Sequence, residues 1–416
     1  MPFAALGLAP ALLNALAERE IIEPTAIQAA AIPAALRGED VLGSAPTGSG
    51  KSLAFALPIL QQLAALKRKS IYGAARRTHA LILAPTRELA IQTGDTLKAI
   101  AQHLTEPVKI VVAFGGVSLN PQMMALRGGA DIIVATPGRL LDLIDHNAVS
   151  ISAISTLVLD EADRLLDAGF ADELQRLLAL LPAKRQSLLF SATLPPAVET
   201  LADALLHQPT RIAIQADEPE IAQHALTVDE KARTALLLHL IKQEGWTRVL
   251  VFVATKYACE LVASKLARRG IHAAPLHGEL SQGTRSETLA AFKAEHLHVL
   301  VATDVAARGL DIARLPVVIN YDLPRAAADY AHRIGRTGRA GEAGLAISFI
   351  SADTEAHFRL IEKRIGIKLG REFIEGFEPL ETPKPGAATG GIKGKRKSKK
   401  DKLREAAAGG VPGAED

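Results

Sequence analysis

The sequence predicts an α/β protein of two parallel-sheet domains in tandem, joined by a short linker and followed by a disordered basic tail. Three observations predict it. Short apolar, β-branched runs alternate with amphipathic helical stretches in two separate passages of the chain. Polar, Gly-rich or charged motifs fall directly after those runs, and in open α/β sheets ligands bind at the carboxyl ends of the strands. At 416 residues the chain is also too long for one ordinary core.

In the first passage the expected strands are 41–44, 80–84, 109–114, 131–135, 156–160 and 187–190. In the second they are 248–253, 272–276, 299–303, 317–320 and 345–350. Their apolar character is continuous rather than alternating, which indicates sheets covered by helices on both faces. Between the passages, Gln215-Ala-Asp-Glu-Pro-Glu-Ile-Ala222 is polar and contains Pro219, so the linker is placed at 215–224. The domains are then 1–214 and 225–378, with a tail from 379 to 416. A last helix is expected over 354–365.

Composition narrows the class. Hydrophobic residues make up 48% and charged residues 22%, as in a globular protein. Aromatics are only 4%, so the cores must rest on Ala, Leu, Ile and Val. The single cysteine, Cys259, excludes an internal disulfide framework and fits a reducing compartment. It falls in a helical stretch and reads as a packed thiol. The N-terminal apolar residues are soon interrupted by Glu18, Arg19 and Glu20, unlike a signal peptide. No apolar stretch is long enough to span a bilayer. A cytoplasmic location without membrane partners is expected.

Net charge is only +3, but seven basic residues crowd between Lys393 and Lys402 among Gly, Pro and Ala. That stretch has too few apolar residues to build a core. It reads either as a solvating tail or as an arm attracted to nucleic-acid phosphates, and the second reading is favoured by what precedes it.

Chemistry concentrates in two motifs of the first passage. Ala45-Pro46-Thr47-Gly48-Ser49-Gly50-Lys51-Ser52 follows a strand and runs into a helical stretch. Gly48 and Gly50 let the backbone approach phosphates, amides at the helix start face the anion, and Lys51 neutralises charge. Ser52 offers a hydroxyl to Mg²⁺. The general pattern begins with Gly where this chain has Ala45. The second motif, Asp160-Glu161-Ala162-Asp163, ends the buried run 156–159. Carboxylates there are costly unless a cation shares the site. Asp160 is the expected Mg²⁺ ligand and Glu161 the base or positioner for water. Helix capping explains one acid, but not three beside a phosphate loop.

These residues resemble the DEAD-box ATP-dependent RNA helicases over about residues 3–378, and the basic arm resembles the bacterial RhlE-like group. The further matching elements stand in the family's order: Pro24-Thr-Ala-Ile-Gln28, Pro85-Thr-Arg-Glu-Leu89, Gly115-Gly116, Thr136-Pro-Gly-Arg139 and Ser191-Ala-Thr193. In the second half come Val251-Phe252, His277-Gly278, Gln282 with Arg285, Thr303-Asp304 through Arg308-Gly309-Leu-Asp311, and His332-Arg-Ile-Gly-Arg-Thr-Gly-Arg339.

The resemblance implies two RecA-like domains, ATP and Mg²⁺ as cofactors, and RNA as partner, with ribosomal or RNA-decay proteins as further partners. Residues 1–29 become the adenine-reading segment. Gln28 is implied to read adenine through an amide that donates and accepts. Phe3 matches the upstream aromatic, and Ile21 stands where the family carries an aromatic to stack on the base.

Arg336 and Arg339 look like arginine fingers, which can contribute roughly 10³–10⁵ in rate. Gly309 and Asp311 are implied at the nucleotide. Asp163, Ser191 and Thr193 are implied to couple hydrolysis to strand separation, with His332 either bridging to Asp163 and Ser191 in that coupling or merely packing. RNA contacts are implied for Pro85, Thr86, Arg87, Gly116, Thr136, Pro137, Gly138, Arg139, Gly278, Arg285, Thr303 and Arg308. Amides in Gly turns and Arg side chains suit backbone contacts, which carry no sequence information. An ATP-gated RNA clamp that rarely unwinds, a DNA helicase and an inactive scaffold are the alternatives. The last is disfavoured by the presence of Lys51, Ser52, Asp160, Glu161 and Arg339.

Overall fold

The structure, a computed structural model, describes residues 2–46, 48–69, 76–167, 169–214, 221–307, 315–338 and 344–381. The chain divides into two compact units near Pro219 and Glu220.

In the first unit the apolar runs form β1 (Val41–Ser44), β2 (Ala80–Leu83), β3 (Ile110–Ala113), β4 (Ile132–Ala135), β5 (Thr156–Leu159) and β6 (Gln186–Ser191), with β7 (Thr210–Ala213) added at one edge. Their order is β3-β4-β2-β5-β6-β1-β7, and every pairing is parallel. Successive residues of a strand face opposite sides of the sheet. Val158 therefore joins one core, with Ile27, Phe55 and Phe190. Leu157 and Leu159 join the other, with Leu140, Leu177 and Val198. Phe55 and Phe190 are fully enclosed with ring centroids 5.6 Å apart. Burial of each such side chain contributes about 1.5–3 kcal/mol.

The second unit repeats the plan. Its strands are β8 (Ile221–Thr227), β9 (Val249–Val253), β10 (Ala273–Leu276), β11 (Val299–Thr303), β12 (Val317–Asn320), β13 (Gly344–Ile350) and β14 (Arg371–Glu372). The order is β10-β11-β9-β12-β13-β8-β14, again parallel throughout. Val249, Val251 and Val253 face a core that includes Cys259. Burial pushes that thiol up to about 12, so it packs rather than reacts.

The expected strands are all present to within a residue or so at each end, and the last helix covers Glu355–Ile365. Three strands lacked a sequence signal. β7, β8 and β14 mix Ala, Thr, Gln, His or charged residues and stand near or at a sheet edge. β8 begins at Ile221, so the last four residues of the segment 215–224 are strand. Residues 215–220 and the arm 382–416 lie outside the described residues. No helix among the described residues is long and apolar enough to cross a membrane.

Candidate active site

The site is built from the carboxyl ends of three neighbouring strands, β1, β6 and β5. From β1 the chain enters the phosphate loop, and the Ala45 N–H donates to Ser191 O at 3.1 Å, continuing the ladder to β6. Gly48 and Gly50 adopt φ of 82° and 88°, the left-handed region that costs glycine little. Gly50 meets a second demand, since a Cβ there would lie 2.3 Å from Gln28 Nε2. The helix Lys51–Lys69 begins at the end of the loop, and its first amides have no intrahelical acceptor.

Lys51 is 7% exposed, and its ammonium donates to Ala45 O at 2.5 Å and Pro46 O at 2.9 Å. Burial lowers its pKa, opposed by the charges of Asp160, Glu161 and Asp163. Within the same loop Ser49 Oγ is buried without a hydrogen-bond partner. Ser52 is half-buried at the helix's second position. Thr47 lies outside the described residues.

Asp160 follows β5, is 2% exposed, and donates its N–H to Leu83 O at 3.0 Å. Burial first, then the Glu161 charge, pushes its carboxyl up to about 7, while Lys51 pulls it down. Glu161 takes φ 50°, a strained conformation for a side-chain-bearing residue and one that clusters at functional sites. Its Oε2 stands 3.1 Å from Arg164 Nη1, yet neither atom has an aligned hydrogen bond. The contact is an ion pair by distance alone.

Asp163 opens the helix Ala162–Asp167 and caps it locally, Oδ1 accepting from Arg164 N–H at 3.0 Å. Its Oδ2 accepts from the Thr193 N–H at 3.0 Å and hydroxyl at 2.8 Å. Ser191 Oγ accepts from the Asp163 N–H at 3.2 Å. The local N–H thus occupies one oxygen of the three carboxylates, and Thr193 occupies a second, Asp163 Oδ2.

These residues fit a nucleotide-bound Mg²⁺. A buried carboxyl pushed to neutral pH, with a second acid beside it, is stabilised by a cation. Among the described residues no three His, Cys, Asp or Glu side chains form a metal cage. Mg²⁺ at phosphates usually takes only one or two carboxylates, the phosphates and water supplying the rest.

Gln28 is the third residue of the helix Ala26–Leu36 and is 2% exposed. Its Oε1 accepts from Thr25 N–H at 3.0 Å, half of a capping box, and its Nε2 donates to Gly50 O at 3.0 Å. The amide therefore touches the phosphate loop directly. Phe3 is 3% exposed inside the core, with no free face, and Ile21 packs against the edge of the same core.

The RNA-assigned residues of this unit follow the other three adjacent strands, β3, β4 and β2. Thr86 caps the helix Arg87–Ala101, its hydroxyl accepting from Leu89 N–H at 3.2 Å, and Pro85 precedes it. The Arg87 guanidinium lies over the Phe114 ring, 5.8 Å from the centroid. Gly116 has φ 81°, and a Cβ there would meet Arg87 Nη2 at 2.1 Å. Thr136 and Pro137 start the helix Pro137–Asp145. Arg139 is 8% exposed and donates to Val117 O at 2.9 Å and Asp142 Oδ2 at 3.3 Å. A Cβ at Gly138 would meet nothing within 4 Å, which leaves that backbone open to approach. The two groups of residues thus share one sheet end, divided between β2 and β5.

In the second unit Gly278 follows β10 and Thr303 ends its neighbour β11. Arg285 is 3% exposed, with Nη1 donating to His277 O at 2.9 Å. His277 Nε2 lies 2.7 Å from Glu260 Oε1. Arg336 stands just past the helix Ala327–Ile334 and is 6% exposed; His332, on that helix, is half-buried. Arg308, Gly309, Asp311 and Arg339 lie outside the described residues. Sequence reasoning gave no role to Arg164, Thr25 or Arg333. The Thr-x-x-Gln spacing was the available signal for Thr25.

A phosphate loop and strand-end acids on a parallel sheet define a nucleoside-triphosphate hydrolase. Residues 25–201 match the DEAD/DEAH box helicase family and residues 232–341 the helicase conserved C-terminal domain. The DEAD-box ATP-dependent RNA helicase CshA of Bacillus cereus is 40% identical over 388 residues, spanning 91% of this chain and 72% of that protein. The ATP-dependent rRNA helicase RRP3 of Candida albicans is 41% identical, over 89% of this chain and 68% of that one. Dbp5 of S. cerevisiae bound to RNA and ADP BeF3 superposes with a TM-score of 0.76 at 31% identity, covering 89% of this chain and 95% of its own. The chain belongs to the DEAD-box RNA helicase family.

Proposed function

We propose that this ATP-dependent RNA helicase separates short RNA duplexes locally, or remodels RNA–protein complexes, by a two-domain clamp with the roles below. The carrying observation is that Lys51 feels the charges of Asp160 and Asp163, and that Asp163 is in turn hydrogen-bonded to Ser191 and Thr193.

Ala45 to Ser52 cradle the phosphates of ATP, and Lys51 gives up the Ala45 and Pro46 carbonyls to meet them. Ser52 and Asp160 hold Mg²⁺, which supplies charge neutralisation at the phosphates. Glu161 orients and deprotonates the attacking water. Gln28 reads adenine while its bond to Gly50 O reports that contact to the loop, and Ile21 contributes an aliphatic wall. RNA binding draws in the second domain, which supplies Arg336 and Arg339 to the developing phosphate charge, with Gly309 and Asp311 at the nucleotide. Pro85–Arg87, Gly116, Thr136–Arg139, Gly278, Arg285, Thr303 and Arg308 grip the RNA backbone. Bending one strand breaks stacking worth on the order of 1.4 kcal/mol per step in duplex DNA, so a few base pairs part per event.

We place the domains at 1–214 and 225–378, with the arm after 379 adding electrostatic affinity for RNA. The basic arm and the bacterial relatives support a bacterial RhlE-like role near ribosomal or RNA-decay proteins, which we place in the cytoplasm. Glu161→Gln tests the central assignment. ATP and RNA binding should persist while turnover falls at least about 100-fold. Full turnover in that variant would remove Glu161 from the chemistry.

A further inference from the structure

Arg333 is among the most heavily engaged polar side chains described in the second unit, although nothing above assigns it a role. It is 2% exposed on the helix Ala327–Ile334. Its Nε donates to Asp304 Oδ1 at 2.6 Å and its Nη2 to Asp304 Oδ2 at 2.7 Å, a two-pronged pair. Its Nη1 donates to Asn320 Oδ1 at 3.1 Å and Asp322 O at 2.6 Å. The guanidinium plane also covers the Phe252 ring, 4.8 Å from the centroid. One side chain therefore binds the carboxyl ends of β11, β12 and β9 together.

The partners are themselves held. Asp322 Oδ1 accepts from Arg233 Nη1 at 2.8 Å, and Asp322 Oδ2 accepts from Ala254 N–H at 2.8 Å. Both ends of the Arg333 connection reach residues with assigned roles. Asp304 directly follows Thr303, on the RNA side. On the other side, the Arg336 N–H donates to Arg333 O at 3.1 Å, and Arg336 O accepts from Leu315 N–H at 3.2 Å. The turn that carries Arg336 is thus tied to the strand end that carries Thr303.

We propose that Arg333 and Asp304 form a positioning pair that transmits RNA occupancy at Thr303 to the placement of Arg336, so that the pair sets how strongly RNA stimulates hydrolysis. The inference rests on the roles given above to Thr303 and Arg336. Planar, two-pronged pairing holds direction as well as distance, which a lysine ammonium cannot reproduce. A displacement of about 1 Å at a catalytic group can cost on the order of 100-fold in rate. Arg336 sits one helical turn from the pair, where such a displacement would be felt.

Full-length Arg333→Lys and Asp304→Asn test this beside Arg336→Ala. In both pair variants ATP affinity and RNA-free turnover should stay within about threefold of the parent, while kcat at saturating RNA falls about 10–100-fold. The double variant should be no worse than the more impaired single one, as expected for residues acting as a unit. A merely structural role would lower thermal stability, and RNA-free and RNA-stimulated turnover together. Full RNA stimulation in Asp304→Asn, which keeps the side-chain shape, overturns the pair even if Arg333→Lys fails to fold. If Arg336→Ala retains stimulated hydrolysis, the finger assignment fails instead, so the two failures are distinguishable.

Discussion

Burial of Asp160 beside Glu161 pushes its carboxyl up to about 7, against an ordinary 3.8, so near neutrality the cation-free protein holds a proton there. Between those values the folded chain binds a proton that the unfolded chain has lost. The stability this group contributes is therefore complete below pH 3.8 and disappears as pH rises through 7. Two outcomes follow at this scale. Binding of Mg²⁺ and ATP should strengthen as pH rises through about 7 and should release a proton, read by calorimetry in buffers of different ionisation enthalpy; pH-independent binding without proton release would contradict it. Asp160→Asn should abolish hydrolysis yet raise the thermal midpoint at pH 8, by about 2–4 °C for each kcal/mol of relieved burial. A lower midpoint would mean that Lys51 needs this charge more than burial opposes it.

At the scale of elements, the strands were legible and several side-chain placements were not. Runs such as 157–159 and 249–253 are apolar at every position because helices cover both faces of the sheet. β7 and β14 are edge strands with a single partner and β8 lies next to the edge, so none of the three carries such a run. The phosphate loop was legible because glycine spacing, Lys51 and the following helix are all local in sequence. The Asp163 contact with Thr193 joins residues 30 apart, and the Arg333 pairing joins residues 29 apart. No local pattern announces either partner. Phe3 shows the same limit, since an isolated aromatic does not reveal whether its face is free.

Gly116 gives a test at the element scale. Gly116→Ala adds a Cβ 2.1 Å from Arg87 Nη2 and places alanine at φ 81°, so the Arg87 side chain and the β3 loop must shift. RNA affinity should fall about 5–30-fold, equivalent to about 1–2 kcal/mol, while RNA-free ATP binding stays unchanged. Equal RNA affinity, measured by fluorescence anisotropy, would remove this loop from the RNA side.

For the whole molecule, the strand order places the residues proposed for nucleotide chemistry and those proposed for RNA contact at the same end of the first sheet, after three strands each. The second sheet repeats that order and carries Thr303 and Arg336 on connected segments. The basic arm, with seven positive residues between Lys393 and Lys402, lies outside the described residues, and the role proposed for it is electrostatic. A chain ending at 381 should bind RNA more weakly at low salt. Its log–log salt dependence should flatten by about 0.7 for each lost phosphate contact. Unchanged affinity and slope would make the arm a solvating tail.

Steady-state ATP turnover of the full chain with and without single-stranded RNA tests the coupling of the two sites most directly. Turnover should be slow alone and rise at least about tenfold with saturating RNA, because in the proposed clamp hydrolysis waits for the second domain's arginines. Substantial turnover at the same rate in both conditions would contradict an RNA-gated clamp.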